Sequence, residues 1–299
     1  MNLTDRIYVG VHVVLTLLVC VRYQQVEHWT TYVIWNLCAI VLLVIFARKK
    51  GDSRAWEFAH DWLPAIFFIS VFEEVSFLSL AIRGGWQNAH LIAFESLLFA
   101  VPPIVWMHEH FAWWLVEFLE FGYFAFYPLY PVVGGLFWAW RERSRFAGAF
   151  RTLTDALSIG YVFCYTTYLL FPTQSPANRL GVQQIATAHG GPFQAAVHFI
   201  QNRGGVHGNA FPSAHIMLAF VVLIFAYRFL PKVAPWLLVP ILLMCVGAVY
   251  DGYHYASDVA AGALLGIVIG LVPEQGKRSL DSSLRVTPKP SSQTNPSAT

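Results

Sequence analysis

His254 and Asp258 stand four residues apart in His254-Tyr255-Ala256-Ser257-Asp258. On a helix, positions i and i+4 share a face, so the carboxylate can reach the imidazole ring. A carboxylate on one ring nitrogen fixes the tautomer and leaves the other nitrogen free to attack. A second motif, Phe211-Pro212-Ser213-Ala214-His215, follows Gly204-Gly205-Val206-His207-Gly208-Asn209-Ala210. Pro212 suits the first position of a helix. The start of such a helix offers free N–H groups that bind phosphate. Ser213 can add a hydrogen bond, and His215, one turn in, can hold or deliver a proton. Taken singly, each motif reads equally well as a helix cap or an interfacial ion pair with an incidental histidine. Together they are specific.

The elements that must position these residues belong to a strongly apolar chain. Of its 299 residues, 57% are hydrophobic and 12% charged, and the mean hydropathy is +0.53. A soluble domain buries such a composition with difficulty. Apolar runs long enough to cross a bilayer predict helices over about 7–22, 31–47, 62–82, 122–140, 151–172, 213–230, 234–250 and 255–272. The expected fold is an all-α integral-membrane, multi-span helical bundle. A net charge of +2 with scattered basic residues excludes a nucleic-acid footprint, so the expected partner is the bilayer. The 11 tryptophans fit interfacial belts. Cys20, Cys38, Cys164 and Cys245 fall inside apolar runs without metal-ligand spacing. The first run lacks a small-residue cleavage site and reads as a retained span. The polar tail, 273–299, is expected to be disordered and cytoplasmic.

Lysine and arginine in short loops orient the bundle. With the amino terminus inside, all but four of the 19 basic residues fall inside; Arg22, Arg83, Arg179 and Arg203 fall outside. The segment 83–121, with Glu95, Pro102-Pro103, His108, His110, Glu117 and Glu120, must then begin and end outside. It reads as interfacial or re-entrant. The span from 213 runs inward and the span 234–250 runs outward, so both motifs meet at the same outer surface.

With those residues assembled, the chain resembles the type 2 phosphatidic acid phosphatase (PAP2) superfamily, whose patterns include Pro-Ser-x-His and a later His-x-x-x-Asp. It is more closely similar to the branch of inositol phosphorylceramide synthases and related bacterial proteins. The marks are Gly204-Gly205 before Phe211–His215, Tyr253-His254-Tyr255 before Asp258, Phe171-Pro172 before Arg179, and Asp61-Trp62-Leu63-Pro64. The resemblance implies a six-helix catalytic core over 60–272, with two additional N-terminal transmembrane helices in 1–59. It implies that His254 attacks phosphorus to form a phosphohistidine, Asp258 orients it, and His215 protonates the leaving alcohol. Ser213 and Arg179 would bind phosphate oxygens, and the substrate would be a lipid phosphate. The superfamily's usual lysine is absent from 171–179, and Ala248 stands where its third motif carries an arginine. Arg203 is therefore the second candidate phosphate clamp, and His207 a candidate head-group contact. No metal or cofactor is expected. The expected location is a bacterial inner (plasma) membrane, with the site on the extracytoplasmic side.

The alternatives are a synthase-like transferase that moves a phospho-head group to an alcohol, and a non-enzymatic membrane transporter. A transporter calls for ionisable residues through the spans, which only Glu73 and Glu74 supply. These two are expected to make a buried polar contact. A haem protein would need facing histidines at mid-span depth, and His108, His110, His189 and His198 sit beside loops.

Overall fold

The computed structural model describes residues 1–48, 53–110, 112–177, 191–204 and 208–284, and the described elements are helical. They are α1 (Leu3–Val21), α2 (Trp29–Arg48), α3 (Arg54–Arg83), α4 (Asn88–Leu98), α5 (Pro103–Glu109), α6 (Trp113–Phe126), α7 (Leu129–Ala139), α8 (Ala149–Leu170), α9 (Pro192–Gly204), α10 (Ala214–Phe229), α11 (Ala234–Tyr250) and α12 (Ala256–Leu284). The first three are long and apolar enough to cross a membrane, and α10, α11 and Ala256–Val272 of α12 are shorter apolar helices. The protein is an all-α membrane bundle. Its outer face shows why lipid must surround it: Trp236 is 77% and Leu264 64% exposed.

Helix α10 is the hub and packs on α7, α8, α11 and α12. Ile216, Met217, Ala219, Val221, Val222 and Phe225 along it are fully buried. A Cβ added at Gly262 or Gly266 of α12 would come 2.5 Å from the carbonyl oxygen of Ser213 or Met217 on the α10 side. Small residues at this contact let the two backbones approach, as in membrane helix pairs generally. Gly122 does the same for α6 against α11, where an added Cβ would meet Leu243 Cβ at 2.5 Å.

The expected span 122–140 is two helices. Helix α6 starts at Trp113, and α7 follows the interruption at Tyr127 and Pro128. A proline in mid-span removes a backbone donor and breaks the ladder. Segment 83–121 therefore contains α4, α5 and the first part of α6. Helix α12 continues to Leu284, past the expected end of the last span, so residues 273–284 are helical. The rest of the tail lies outside the described residues.

The N-terminal pair α1–α2 is held by buried polar contacts. Thr4 Oγ1 donates to Asp155 at 2.6 Å and His60 pairs with Asp5 at 3.0 Å. Glu74 makes the polar contact expected of it: Asn36 Nδ2 donates to Glu74 Oε1 at 2.7 Å, and His12 Nδ1 meets Asn36 Oδ1 at 2.6 Å. These three side chains are 2% exposed or less, and in hydrocarbon such groups need one another.

Candidate active site

Ser213 is the N-cap of α10, and its side chain accepts from Ile216 N. Pro212 thus precedes the cap and does not take the first helical position, because Ser213 supplies the capping oxygen that starts the helix. The stretch of chain before it is pinned by three hydrogen bonds with two residues, Tyr168 and Thr173. Tyr168 Oη donates to Pro212 O at 2.7 Å, Phe211 N to Thr173 Oγ1 at 3.0 Å, and Ala210 N to Thr173 O at 3.1 Å.

At the second motif, Asp258 lies in the first turn of α12 and reaches back to the backbone N–H of Tyr255 at 2.8 Å. That is the acidic half of a capping box, and negative charge suits a helix start. Glu95 of α4 adds a second acid there, accepting from Ser257 N at 2.8 Å and Ser257 Oγ at 2.9 Å. The turn before α12 uses Gly252 at φ +77°, and His254 N donates to Ala248 O at 2.8 Å.

The two motifs form one site. Ser213 Oγ lies 3.1 Å from His254 Nε2, and His254 Nδ1 lies 3.4 Å from Asp258 Oδ2. Asp258 and Ser213 are fully buried and His254 is 7% exposed. A buried carboxylate on Nδ1 holds the proton there, so Nε2 carries the lone pair and accepts from the serine hydroxyl. The backbones are joined as well, since Ser213 N donates to Asp258 O at 3.1 Å. The His215 ring is 6.4 Å from the His254 ring between centroids. Its other ring neighbours are aromatic: Phe126 at 5.0 Å, Tyr123 at 6.1 Å and Phe72 at 6.3 Å.

The helix start offers fewer free N–H groups for phosphate than the sequence suggests. The Ser213 amide is bonded to Asp258 O, and the Ala214 amide lies on the Tyr168 hydroxyl. That leaves the amide of His215. Arg179, His207 and the Arg203 side chain lie outside the described residues. Ala177, two positions before Arg179, is anchored at the site: its N–H donates to Gly252 O at 3.0 Å. Among the described residues, no three His, Cys, Asp or Glu side chains group as metal ligands.

The sequence model of the PAP2 superfamily matches residues 90–272. The chain belongs to the PAP2 superfamily. The match runs from α4 to the apolar part of α12 and contains both motifs. A similar relative is the bacitracin transport permease protein BcrC of Bacillus licheniformis, 42% identical over 66 residues. Those residues are 21% of this chain, and the chain spans 31% of the relative's length. No solved structure matches the chain. These likenesses reach the superfamily, not the inositol phosphorylceramide synthase branch.

In this PAP2 chain a second polar group adjoins the site, and sequence reasoning did not single it out. Tyr253, beside His254, donates to Glu120 of α6 and packs on Tyr123 at 4.9 Å. Asp251, 4% exposed, stands with them. Burial holds the Asp251 carboxyl well above the usual carboxylate range, and the charges of Glu120 and Glu117 add to that. Burial and Glu120 likewise push the Tyr253 phenol up, and burial lowers His198 of α9. Glu117 serves elsewhere, accepting from Phe193 N and Gln194 N at 3.1 Å each, and so caps α9. Glu120 and Asp251 are adjacent only through the α6–α11 packing, which no local pattern announces.

Proposed function

We propose that the protein is a membrane enzyme that cleaves a lipid phosphoester through a phosphohistidine at His254. The observation that carries this reading is the buried chain Ser213 Oγ–His254–Asp258, with the His215 ring 6.4 Å from the nucleophile's ring. His254 Nε2 attacks phosphorus in line with the leaving oxygen, the P–O bond breaks, and His215 passes its proton to the departing alkoxide. The neutral His215 then takes a proton from the incoming hydroxyl as that oxygen attacks phosphorus and the P–N bond breaks. Ser213 lies beside the attacking nitrogen, where its hydroxyl can turn to a phosphate oxygen. The His215 ring sits among aromatic rings, which disfavour a charge on it, so a bound phosphate is the counter-ion its protonated form would need. The likeness in motif supports Arg179 as a phosphate clamp, and Arg203 and His207, in the stretch before Phe211–His215, are proposed as a second clamp and a head-group contact because the superfamily's usual cationic residues are absent.

If water is the acceptor, the enzyme is a lipid phosphatase; if an alcohol is, it is a phosphotransferase of the inositol phosphorylceramide synthase kind. The basic-residue asymmetry supports a site on the extracytoplasmic face of a bacterial plasma membrane. The name of the Bacillus licheniformis relative suggests transport instead. One experiment separates these readings. Purified protein is given a panel of lipid phosphates, with and without an alcohol acceptor, and quenched in alkali to trap phosphohistidine. Release of phosphate alone marks a phosphatase, and a new phosphodiester marks a transferase. No turnover and no trapped phosphoenzyme with any substrate would overturn the enzymatic reading.

A further inference from the structure

Helix α6 breaks at Pro128 opposite Pro240, the proline inside α11. Between them lies an apolar groove of about 160 Å³. Buried Gly122, Val133, Ile241 and Met244 form its floor, and exposed Pro128 and Val132 form its mouth. Apolar cavities of roughly this size stay dry and accept a benzene-sized guest. The mouth opens on the lipid-facing flank of the bundle, where Val132 is 56% exposed. The inner end is Phe126, which lines the groove and stands edge-on to His215 at 5.0 Å. Depth agrees with this position. Met244 and Leu237 precede the end of α11 at Tyr250 by six and thirteen residues. At 1.5 Å per residue that places the groove about 9–20 Å below the site end of the helix. The mid-plane of a hydrocarbon core of roughly 30 Å, about 15 Å from that end, falls within this range.

We propose that this groove receives the hydrocarbon chain of the lipid phosphate whose head group is held at His254 and His215, so that the protein selects its substrate by chain as well as by phosphate. The proposal rests on the phosphoester-cleaving reading above. A chain gains little hydrophobic energy in moving from bilayer to groove, since both are apolar. The groove therefore acts by placement: it holds the middle of the chain below the site and so sets how phosphorus is presented to Nε2. A misplacement of about 1 Å can cost about 10²-fold in rate.

The test uses the full-length protein in nanodiscs. Hexadecyl phosphate and nitrophenyl phosphate are compared as substrates for wild type, Ala125→Phe, Val132→Trp and Leu264→Trp. Ala125 is half-buried in the groove and Val132 is at its rim, whereas Leu264 faces lipid on α12. The expected result is a fall of at least about 10-fold in the long-chain to nitrophenyl ratio of kcat/KM for the first two variants. Leu264→Trp should keep the wild-type ratio. Unchanged ratios in Ala125→Phe and Val132→Trp would overturn the proposal. A second measurement does not depend on turnover. Hexadecyl phosphate carrying a diazirine in its chain should label α6–α7 and α11, and unlabelled hexadecyl phosphate should compete where hexadecanol does not. Labelling spread evenly over α2 and α12 would overturn the groove assignment even in an active enzyme. Absent labelling together with disulfide-linked dimers of Val132→Cys would assign the groove to a second copy. A wild type that turns over neither ester but labels selectively would retain the groove and reject the catalytic reading.

Discussion

Replacing Asp258 by asparagine changes one atom in a fully buried side chain, and the structure fixes what that atom must do. Asp258 Oδ2 takes both the Tyr255 N–H at 2.8 Å and the His254 Nδ1 side at 3.4 Å. Asp258 Oδ1 is buried and has no partner among the described residues. An asparagine can keep its carbonyl oxygen at the Oδ2 position, which preserves the histidine tautomer. The opposite orientation would aim an NH2 group at the Tyr255 N–H, donor against donor. The tautomer should therefore survive, and what is lost is the charge of the acceptor. A hydrogen bond to a charged group is worth about 1.5–3 kcal/mol, roughly twice a neutral one, so losing the charge alone costs about 0.8–1.5 kcal/mol, roughly 4- to 13-fold in rate. The stranded NH2 should cost about 1–3 kcal/mol of stability as a buried unsatisfied donor. The assay is rapid-quench formation of phosphohistidine in Asp258→Asn beside wild type, with thermal melting of both. A rate equal to that of wild type would show that the Asp258 charge does not support the nucleophile. A loss near the roughly 10⁴-fold that accompanies a wrong tautomer, in a folded protein, would refute the shared-oxygen argument.

His254→Ala should yield neither phosphoenzyme nor turnover. His215→Ala should lose about 10²–10⁴-fold on alkyl phosphates and far less on nitrophenyl phosphate, whose leaving group needs no proton; equal losses on both would reject the leaving-group role. Turnover should persist in chelator, and its recovery only on adding Mg²⁺ or Zn²⁺ would contradict the metal-free mechanism. Gly262→Val must displace the Ser213 carbonyl and should cost about 1–3 kcal/mol in melting as well as turnover, whereas Gly135→Ala, with nothing within 4 Å, should cost neither. Asp251, facing Glu120 and Glu117, has a folded-state pKa raised above its unfolded value. The stability tied to its proton is present below the unfolded pKa and is lost as pH rises through the folded one. Asp251→Asn should therefore gain stability over wild type progressively from acid to neutral pH, and melting curves that stay parallel across pH would refute this.

The spans were legible because a membrane helix announces itself by length and apolarity alone, and all eight expected runs contain helix. The pairing of His254 with Asp258 was legible, though not for the reason the spacing suggests: His254 lies in the turn before α12, and Asp258 reaches it from the first turn of the helix while capping Tyr255 N. Other features depend on how helices rotate against one another, and sequence spacing does not carry that. Glu95 and Ser257 are 162 positions apart and still share a hydrogen bond. The Tyr168 bond to Pro212 and the aromatic surround of His215 arise in the same way. The early start of α6 escaped notice because Glu117 and Glu120 make its first turns look too polar to be buried. Both acids find partners far along the chain, Glu117 capping α9 and Glu120 accepting from Tyr253 through Oε1, while Glu120 Oε2 is buried with no partner among the described residues.

Those long-range bonds divide the labour at the site. Ser213, His254 and Asp258 are tied to one another through side chains and through the Ser213 N–H to Asp258 C=O bond. Gly262 lets α12 seat directly on the Ser213 carbonyl. The residues proposed as nucleophile, orienting carboxylate and phosphate-binding hydroxyl are therefore tied into one piece spanning two helix starts. His215 lies outside that piece, placed by rings rather than by a described hydrogen bond. The proposed mechanism asks for this difference. In-line attack by Nε2 puts the leaving oxygen opposite the nitrogen, and the incoming hydroxyl of the second step must occupy the same place. One histidine can then give a proton to the first oxygen and take one from the second without changing sides, provided its ring adjusts to both. The rigid half holds phosphorus, and the ring-cushioned half follows the oxygen.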